Sequence, residues 1–233
     1  MTRQARRAAS ISYVNPRKTC HNSAFTVRYP EMFRFADVPL SLSSMTRIPG
    51  RRVYLRAPTM EDWPEWAELR ARSRAFLTPW EPTWPDDSLA RDHYRRRLRQ
   101  QVREWRAGEA YGLFIFLNDR RRLVGGINLS NVRRGVAQTA SVGYWMGQPF
   151  AGQGLMTDAL RAILPFVFDE LRLHRLEAAC LPHNQPSRSV LTKVGFREEG
   201  LARQYLRING QWADHLLFAL LRADYDIMLR SAR

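Results

Sequence analysis

Two glycines separated by one residue precede a segment of helical periodicity in the stretch QPFAGQGLMTDAL, which runs from position 148 to position 160. Glycine lets a backbone approach a ligand closely, because no Cβ stands in the way. About four amide groups at the start of a helix lack partners within the helix, and the helix dipole places about half a positive charge beside them. Gly152 and Gly154 therefore predict a turn that binds a diphosphate through main-chain amides. A tight strand-to-helix turn without a ligand is the alternative interpretation.

Two common phosphate-binding motifs do not match this turn. A Walker loop continues with lysine and then serine or threonine, whereas Leu155 and Met156 follow Gly154 here. A dinucleotide fingerprint has a third glycine, and Thr157 occupies that position. The turn is thus predicted to bind a phosphate-bearing ligand of another kind.

A second polar pair occurs downstream, in the stretch LPHNQPSRSVLTKVGFREEG. Asn184 and Ser187 lie where a predicted strand ends and a short helix begins. Their structural alternatives are an Asx-turn for Asn184 and a helix N-cap or first-turn position for Ser187. No pair of His, Cys, Asp or Glu residues has metal-ligand spacing, so no metal site is predicted. Cys20 and Cys180 are too few for a disulfide framework, which fits a reducing compartment.

A mixed set of strands and helices must position these residues. Val53, Leu55 and Ala57 alternate with polar residues, which predicts a strand. Residues 60–77 and 86–108 have helical periodicity, and the proline-rich stretch TPWEPTWPDD between them predicts a stiff loop. Three strands are predicted next, in AYGLFIFLN, LVGGINLSNV and QTASVGYWMG. A helix kinked at Pro165 follows, and after it the strand HRLEAACLP. The chain then forms a short helix that ends at Gly195 and a hairpin that turns at Asn209-Gly210. The order β-α-α-β-β-β-α-β-α-β-β predicts an α/β or α+β fold, a sheet with helices on both faces.

Length and charge limit the organisation of the chain. The 233 residues are enough for one domain and an extension. Residues 1–45 lack sustained periodicity and predict a disordered basic extension, whereas residues 46–233 are predicted to form a single domain. The net charge of +15 predicts attraction to polyanions or to a phosphorylated cofactor, with a solvated basic surface as the alternative. No apolar run approaches the ~20 residues of a membrane span and no secretory signal is recognisable, so we expect a cytoplasmic protein without membrane contact.

The glycine turn, the Asn184-x-x-Ser187 segment and the following KVGF together resemble the GNAT superfamily of N-acetyltransferases. That family has a phosphate turn of the form Gln/Arg-x-x-Gly-x-Gly/Ala; Gly152 and Gly154 match it, but Pro149 replaces the first residue. One phosphate contact is thereby lost, while the amides around Gly152 to Leu155 remain. The stretches LTPWEP, INLSNVRRG, GQGLMTDAL, PHN, GFREEG and INGQWADH look like those of one branch, the ribosomal-protein-alanine N-acetyltransferases, over about Arg51 to Leu221.

This resemblance implies a GNAT-type mixed, mostly antiparallel central sheet with helices on both faces, and acetyl-CoA as co-substrate. The amine attacks the thioester directly, and a backbone N–H near the end of GYWMG stabilises the oxyanion. We expect Ser187 or Tyr205 as the general acid and Glu81 as the base, with ordinary structural roles as the alternative for each; His215, acting through water, is a weaker candidate base. The residues expected to contact the cofactor are Trp145, Met146, Gly147, Gly152, Gln153, Gly154, Leu155, Met156, Asn184 and Ser187.

Three functions remain open at this point. The first is acetylation of the N-terminal amine of a ribosomal protein, because an α-amino group with a pKa near ~8 is more easily neutral than a lysine near ~10.4. The second is acetylation of a small amine such as an antibiotic or polyamine, which the acidic stretches EDWPE and WPDD would suit. The third is ribosome or RNA binding, for which the basic segment HYRRRLRQQVR could serve.

Overall fold

The computed structural model describes residues 47–231. The extension predicted for residues 1–45 lies outside this range, as does Cys20. The strands are β1 Ile48–Pro49, β2 Val53–Arg56, β3 Tyr111–Leu117, β4 Leu123–Arg133, β5 Thr139–Met146, β6 Arg175–Cys180, β7 Arg197–Ile208 and β8 Gln211–Leu221. The α-helices are α1 Trp63–Arg72, α2 Arg74–Leu77, α3 Arg91–Ala107, α4 Leu155–Pro165, α5 Gln185–Val194 and α6 Arg222–Ser231. In this part of the chain no helix is long and apolar enough to cross a membrane.

One sheet contains all eight of these strands, in the order β1-β2-β3-β4-β5-β6-β8-β7. Its neighbours are antiparallel except for β5 and β6, which are parallel. The predicted mixed, mostly antiparallel sheet is therefore confirmed. The parallel pair is joined only where residues 139–141 meet residues 175–177. Because the pairing stops there, the carboxyl-terminal halves of β5 and β6 leave a gap in the sheet.

Alternating side chains of the strands enter two apolar layers, one on each face of the sheet. Val53 and Leu55 pack into the layer that contains α4 and α5, whereas Tyr54 between them packs into the layer that contains α1 and α3. Strand β2 is consequently buried on both faces, although the sequence shows only one alternating set. The prediction of helices on both faces is confirmed.

The helical region before β3 differs in detail from the predicted pattern. One helix was expected over residues 60–77, but α1 ends at Arg72 and α2 begins at Arg74, with Ser73 fully buried between them. The Ser73 hydroxyl accepts a hydrogen bond from the Gln148 main-chain N–H at 2.9 Å. The break therefore anchors the segment that leads into the glycine turn. Helix α3 begins at Arg91, five residues later than expected.

The predicted kink at Pro165 takes the form of a change in helix type. Helix α4 ends at Pro165, and one π-helical turn over Phe166–Glu170 continues it. Proline lacks the N–H of a regular ladder and its ring crowds the preceding turn, which accounts for the change. The hairpin turn at Asn209-Gly210 is confirmed by positive φ values of 42° and 82°. Strand β1 and helix α6 were not predicted.

Candidate active site

The gap between β5 and β6 opens into a cavity of about 620 Å³ on the α4/α5 face of the sheet, called the groove below. The glycine turn, the first turn of α5 and the ends of β5 and β6 form its walls. Eight of the ten residues expected to contact a cofactor line it; the other two are Gly147 and Gln153. The structure therefore brings together two motifs that are about 30 residues apart in the chain.

The glycine turn presents main-chain amides to the groove. Gly152 and Gly154 both have φ of +74°, a conformation that residues with a Cβ rarely adopt. Gly154 is the N-cap of α4, and no side chain caps the helix. A Cβ built on Gly152 would meet no protein atom within 4 Å, so the space beside the turn is open. Leu155 and Met156 bury their side chains in the core, which leaves only their amides for a ligand.

An arginine that sequence analysis did not identify lies beside this turn. Arg52 donates from Nη2 to the Gln153 carbonyl oxygen at 2.9 Å. The carboxylate of Asp158, in the first turn of α4, accepts from the main-chain N–H groups of Arg51 and Arg52 at 3.2 and 2.7 Å. These bonds hold the positively charged Arg52 guanidinium beside the main-chain amides of the glycine turn. The Gln153 side chain itself donates to the Pro149 carbonyl at 3.0 Å.

Asn184 and Ser187 form the start of α5. Asn184 is the N-cap, and its side-chain oxygen accepts from the Ser187 N–H at 3.1 Å. The structural alternative for Asn184 is thus realised, although the residue also lines the groove. The Ser187 hydroxyl lies 2.8 Å from the hydroxyl of Tyr144 on β5. Burial raises the pKa of Tyr144 far above its ordinary value, only partly offset by this bond, so its phenol is protonated at neutral pH.

A thiol completes this polar cluster. Cys180 ends β6, is 5% exposed and lines the groove beside the Tyr144–Ser187 pair. Burial raises its pKa, so the thiol is predominantly protonated at neutral pH. These three residues therefore add neutral hydroxyl and thiol groups to a groove wall that also includes the charged Lys193 and Arg207.

The end of β5 offers one main-chain N–H to the gap. Gly147 donates its N–H to the Val124 carbonyl of β4 at 2.8 Å. Successive residues of a strand direct their main-chain groups to opposite edges, so the Trp145 amide also faces β4 and the Met146 amide faces the gap. Of the three residues expected to supply an oxyanion donor, only Met146 has the required orientation.

Gly147 has a packing role that the sequence did not reveal. A Cβ at this position would lie 2.4 Å from Leu69 Cδ1 of α1, so only glycine fits against the helix. The Trp145 side chain also packs on the α1/α3 face, where the Arg70 guanidinium carbon lies 4.9 Å from its ring centre. A cofactor in the groove would therefore meet Trp145 through its main chain.

Glu81, the expected base, is an ion-pair partner of Arg70. Two bonds of 2.7 Å join its two carboxylate oxygens to the guanidinium. One of these oxygens also accepts from Trp84 Nε1 at 2.8 Å. The Glu81 carbonyl accepts from the Asn209 N–H at 2.9 Å, which ties the β7–β8 hairpin to the loop. Glu81 thus fixes the loop at the mouth of the groove.

Tyr205, the second expected acid, is separate from Ser187. Its side chain is 47% exposed. Together with Glu104 and Glu177, it lines a shallow cavity that is separate from the groove. Its ring contacts that of His215, with ring centres 5.9 Å apart. His215 is buried, and its Nδ1 lies 2.9 Å from the Ala213 carbonyl oxygen. The structure does not bring Ser187 and Tyr205 together.

A second cavity of about 430 Å³ lies on the opposite, α1/α3 face of the sheet and is called the rear cavity below. Five residues line both cavities: Glu81, Pro82, Gly143, Tyr144 and Trp145. A Cβ on Gly143 would meet no atom within 4 Å, so the wall between the two cavities is thin and open at this residue. Strand β5 is therefore reachable from both faces of the sheet. Among residues 47–231, no cluster of three or more His, Cys, Asp or Glu side chains could hold a metal ion.

Comparison with known families gives this arrangement a function. The family model described as an acetyltransferase (GNAT) domain matches residues 52–197, which include the glycine turn and the start of α5. This chain belongs to the GNAT acetyltransferase family. The resemblance inferred from the sequence is thereby confirmed, and the protein is an acetyl-CoA-dependent N-acetyltransferase.

Similar proteins identify the branch of the GNAT family to which this enzyme belongs. It is 35% identical over 179 residues to the [ribosomal protein uS5]-alanine N-acetyltransferase of Escherichia coli (strain K12), covering 77% of this chain and 92% of that protein. The structure of Mycobacterium smegmatis RimJ in complex with CoA-disulfide matches with a TM-score of 0.73 and 34% identity, over 80% of this chain and 94% of that one. The ribosomal-protein-S5-alanine acetyltransferase from Vibrio fischeri matches with a TM-score of 0.72 and 29% identity, over 77% and 98%. The enzyme belongs to the RimJ/RimL-like branch of the family.

The groove fits acetyl-CoA in chemical character. Uncapped amides at the start of α4 and the guanidinium of Arg52 suit a diphosphate. The open space beside Gly152 allows that group to reach the main chain. Beyond the turn, the lining includes apolar residues such as Met146 and neutral polar residues such as Cys180 and Ser187, which suit an uncharged pantetheine arm.

Proposed function

We propose that this enzyme transfers the acetyl group of acetyl-CoA to the N-terminal α-amino group of a ribosomal protein in the cytoplasm. The observation that carries the proposal is the pair of cavities that meet at β5, one suited to the cofactor and the other open on the opposite face. The rear cavity falls in the ~300–1,000 Å³ range of ligand sites, and we infer that it admits the end of a chain. The E. coli relative named for a ribosomal-protein alanine supports this acceptor class.

The glycine turn would bind the cofactor at its diphosphate. The amides of residues 152–155 donate to the phosphate oxygens, and each hydrogen bond to a charged group contributes about 1.5–3 kcal/mol. Arg52 adds a positive charge beside the same oxygens. Asn184 has its side-chain oxygen occupied in the α5 cap, so only its amide NH₂ remains for the pantetheine arm.

Strand β5 would stabilise the charge that develops during acetyl transfer. Acetyl-CoA supplies a thioester that an amine can attack directly. The Met146 N–H, directed into the gap, donates to the carbonyl oxygen as it becomes negative. Fixed donors of this kind need little reorganisation during the reaction, which makes them effective.

Tyr144 and Ser187 would supply the proton for the departing thiolate. Both residues line the groove, and Ser187 Oγ lies 2.8 Å from the Tyr144 hydroxyl. Ser187 donates its proton to the thiolate and is reprotonated through the Tyr144 phenol. Because the raised pKa of Tyr144 disfavours a lasting phenolate, the phenol regains its proton from the water that has accepted the proton of the amine. Tyr205 lines a separate cavity, so we infer that it does not act as the acid.

The amine would lose its proton without a strong enzymatic base. An N-terminal α-amino group has a pKa near ~8, so a useful fraction is already neutral at physiological pH. Glu81, the expected base, has both oxygens paired with Arg70. We infer that Glu81 positions the loop at the acceptor side and that water removes the proton.

Mass spectrometry of N-terminal peptides tests the acceptor class. Cells with and without this gene are compared, and the purified enzyme is then assayed on peptides copied from any terminus that changes. We expect one or a few ribosomal-protein termini to lose acetylation in the deletion strain. Unchanged ribosomal termini, together with acetylation of a small amine by the purified enzyme, would refute the proposal.

A further inference from the structure

Unpaired hydrogen-bond donors are concentrated around the rear cavity. Four buried side-chain polar atoms lack a hydrogen-bond partner within residues 47–231, and three of them belong to residues that line this cavity: Trp66 Nε1, Arg70 Nε and Ser88 Oγ. Trp66 is only 2% exposed. Buried polar groups are nearly always paired, so these three exceptions mark a polar region of the protein beside the rear cavity.

A guanidinium on the same wall also lacks an ionic partner. Arg97 projects from α3, and no carboxylate of the described part of the chain forms an ion pair or hydrogen bond with it. Its guanidinium carbon lies 5.9 Å from the centre of the Trp66 ring, next to the unpaired indole. Arg97 is an exposed residue, so its guanidinium is open to a ligand that enters the cavity.

The carboxylates near the rear cavity are already engaged. Glu81 is paired with Arg70, so these two charges cancel. Asp87 contacts His93 Nδ1 and Arg96, at 3.2 and 2.8 Å. Glu104 accepts from Gln100 at 2.7 Å and does not line the cavity. The guanidinium of Arg97 therefore has no ion-pair partner among residues 47–231, although Glu81 and Glu104 are near enough to favour its charged form.

The donors match one class of ligand group. A guanidinium forms strong charge-assisted bonds with a planar carboxylate, to which it can donate two parallel hydrogen bonds. We propose that the rear cavity contains a carboxylate-binding subsite, in which Arg97 pairs with an acidic side chain near the N terminus of the acceptor. This subsite rests on the proposed function, because it makes the enzyme selective among N-terminal sequences.

Matched peptides test the subsite. A set of alanine-initiated peptides carries glutamate, in turn, at the second, third or fourth residue, and each is compared with its glutamine counterpart. We expect kcat/KM for the glutamate peptide to be higher by about tenfold at one of these positions, equivalent to ~1.4 kcal/mol. In Arg97→Gln the preference should fall to within about twofold, because the guanidinium that reads the carboxylate is absent.

Arg99→Gln is the matched control. Arg99 is an exposed arginine of the same helix that lines neither cavity, so the variant loses the same charge and should retain the preference. Equal rates for glutamate and glutamine peptides at all three positions would overturn the proposal. So would a preference that survives in Arg97→Gln.

A binding measurement separates this proposal from the proposed function. If no peptide is acetylated, the peptide N terminus is wrong as the acceptor. Calorimetry with the CoA-bound protein then compares each glutamate peptide with its glutamine counterpart. Tighter binding of one glutamate peptide that disappears in Arg97→Gln supports the subsite independently of catalysis, and equal binding at all three positions overturns it.

Discussion

Replacing Gly152 by alanine tests whether the glycine turn exists to bind a ligand. The added methyl meets no protein atom within 4 Å, so the cost to folding is conformational, from a φ of +74°. A residue with a Cβ loses about 1–2 kcal/mol in this conformation, partly offset by a less flexible unfolded chain. We expect a loss of about 1 kcal/mol in the free energy of unfolding, or roughly 2–4 °C in Tm.

The same methyl should weaken acetyl-CoA binding much more strongly than it affects folding. It occupies the space through which the diphosphate would reach the amides, and at least one charge-assisted hydrogen bond would be lost. At about 1.5–3 kcal/mol for such a bond, Kd should rise roughly 10- to 150-fold. Calorimetric titration of acetyl-CoA measures this change, and differential scanning calorimetry measures stability.

Gly135→Ala provides a matched control for the conformational cost. Gly135 lies in the exposed turn between β4 and β5, with φ of +65° and no atom within 4 Å of a built Cβ. Both variants should lose similar stability, but Gly135→Ala should bind acetyl-CoA with the affinity of the unmodified protein. Equal affinity for acetyl-CoA in the two variants would refute the assignment of the turn to the diphosphate.

Three further substitutions test the other parts of the site. Gly143→Leu places a side chain where β5 separates the two cavities. The KM for the peptide should then rise at least about tenfold, while the affinity for acetyl-CoA stays within about twofold of the unmodified protein. An unchanged peptide KM would argue against entry of the acceptor from the rear face. Ser187→Ala and Tyr144→Phe should each lower kcat by about 10²–10⁴-fold with little change in acetyl-CoA affinity, and full turnover in both places the acid elsewhere. Glu81→Gln leaves the largely buried Arg70 guanidinium without its counter-charge and should cost about 3 kcal/mol in urea-induced unfolding. An unchanged stability combined with a lost acidic limb in the pH–rate profile would restore Glu81 as the base.

The parts of the site that depend on short sequence distances could be predicted. Whether amides at the start of α4 are exposed depends on residues within a few positions of Gly154, and glycines there leave few alternatives. The start of α5 is similarly local: Ser187 occupies the first turn, which was one of its expected positions, whereas the N-cap is Asn184, for which an Asx-turn was the alternative considered. Turn signals at Asn209-Gly210 and Gly195 also identified real element ends. Local geometry is specified by local residue types, so these predictions hold.

Contacts between distant segments could not be predicted from spacing. Arg52 reaches Gln153 across 101 positions, and nothing in the stretch RRVYLR identifies a partner of the glycine turn. Glu81 looks like a free carboxylate in its proline-rich loop, and only the fold brings Arg70 of α1 to it. Tyr144 did leave a signal, because its alternation with Met146 on β5 places both side chains on the α4/α5 face of the sheet, where the groove lies.

The remaining differences in the fold have similar causes. Strand β2 is buried on both faces because two separate apolar layers meet it, and the alternation of Val53 and Leu55 reveals only one of them. Helix α6 was missed because the apolar end of β8 runs directly into it at Arg222, without a turn signal between them. Helices and strands could thus be predicted where polar or turn-forming residues separate one element from the next.

A crystal structure of this protein with coenzyme A tests the central claim most directly. The account predicts the diphosphate within hydrogen-bonding distance of the main-chain N–H groups of residues 152–155, with the Arg52 guanidinium beside it. The thiol end should lie in the gap between β5 and β6, near the Met146 N–H and Ser187 Oγ. A diphosphate bound away from the glycine turn, or a thiol that does not enter the gap, would contradict it.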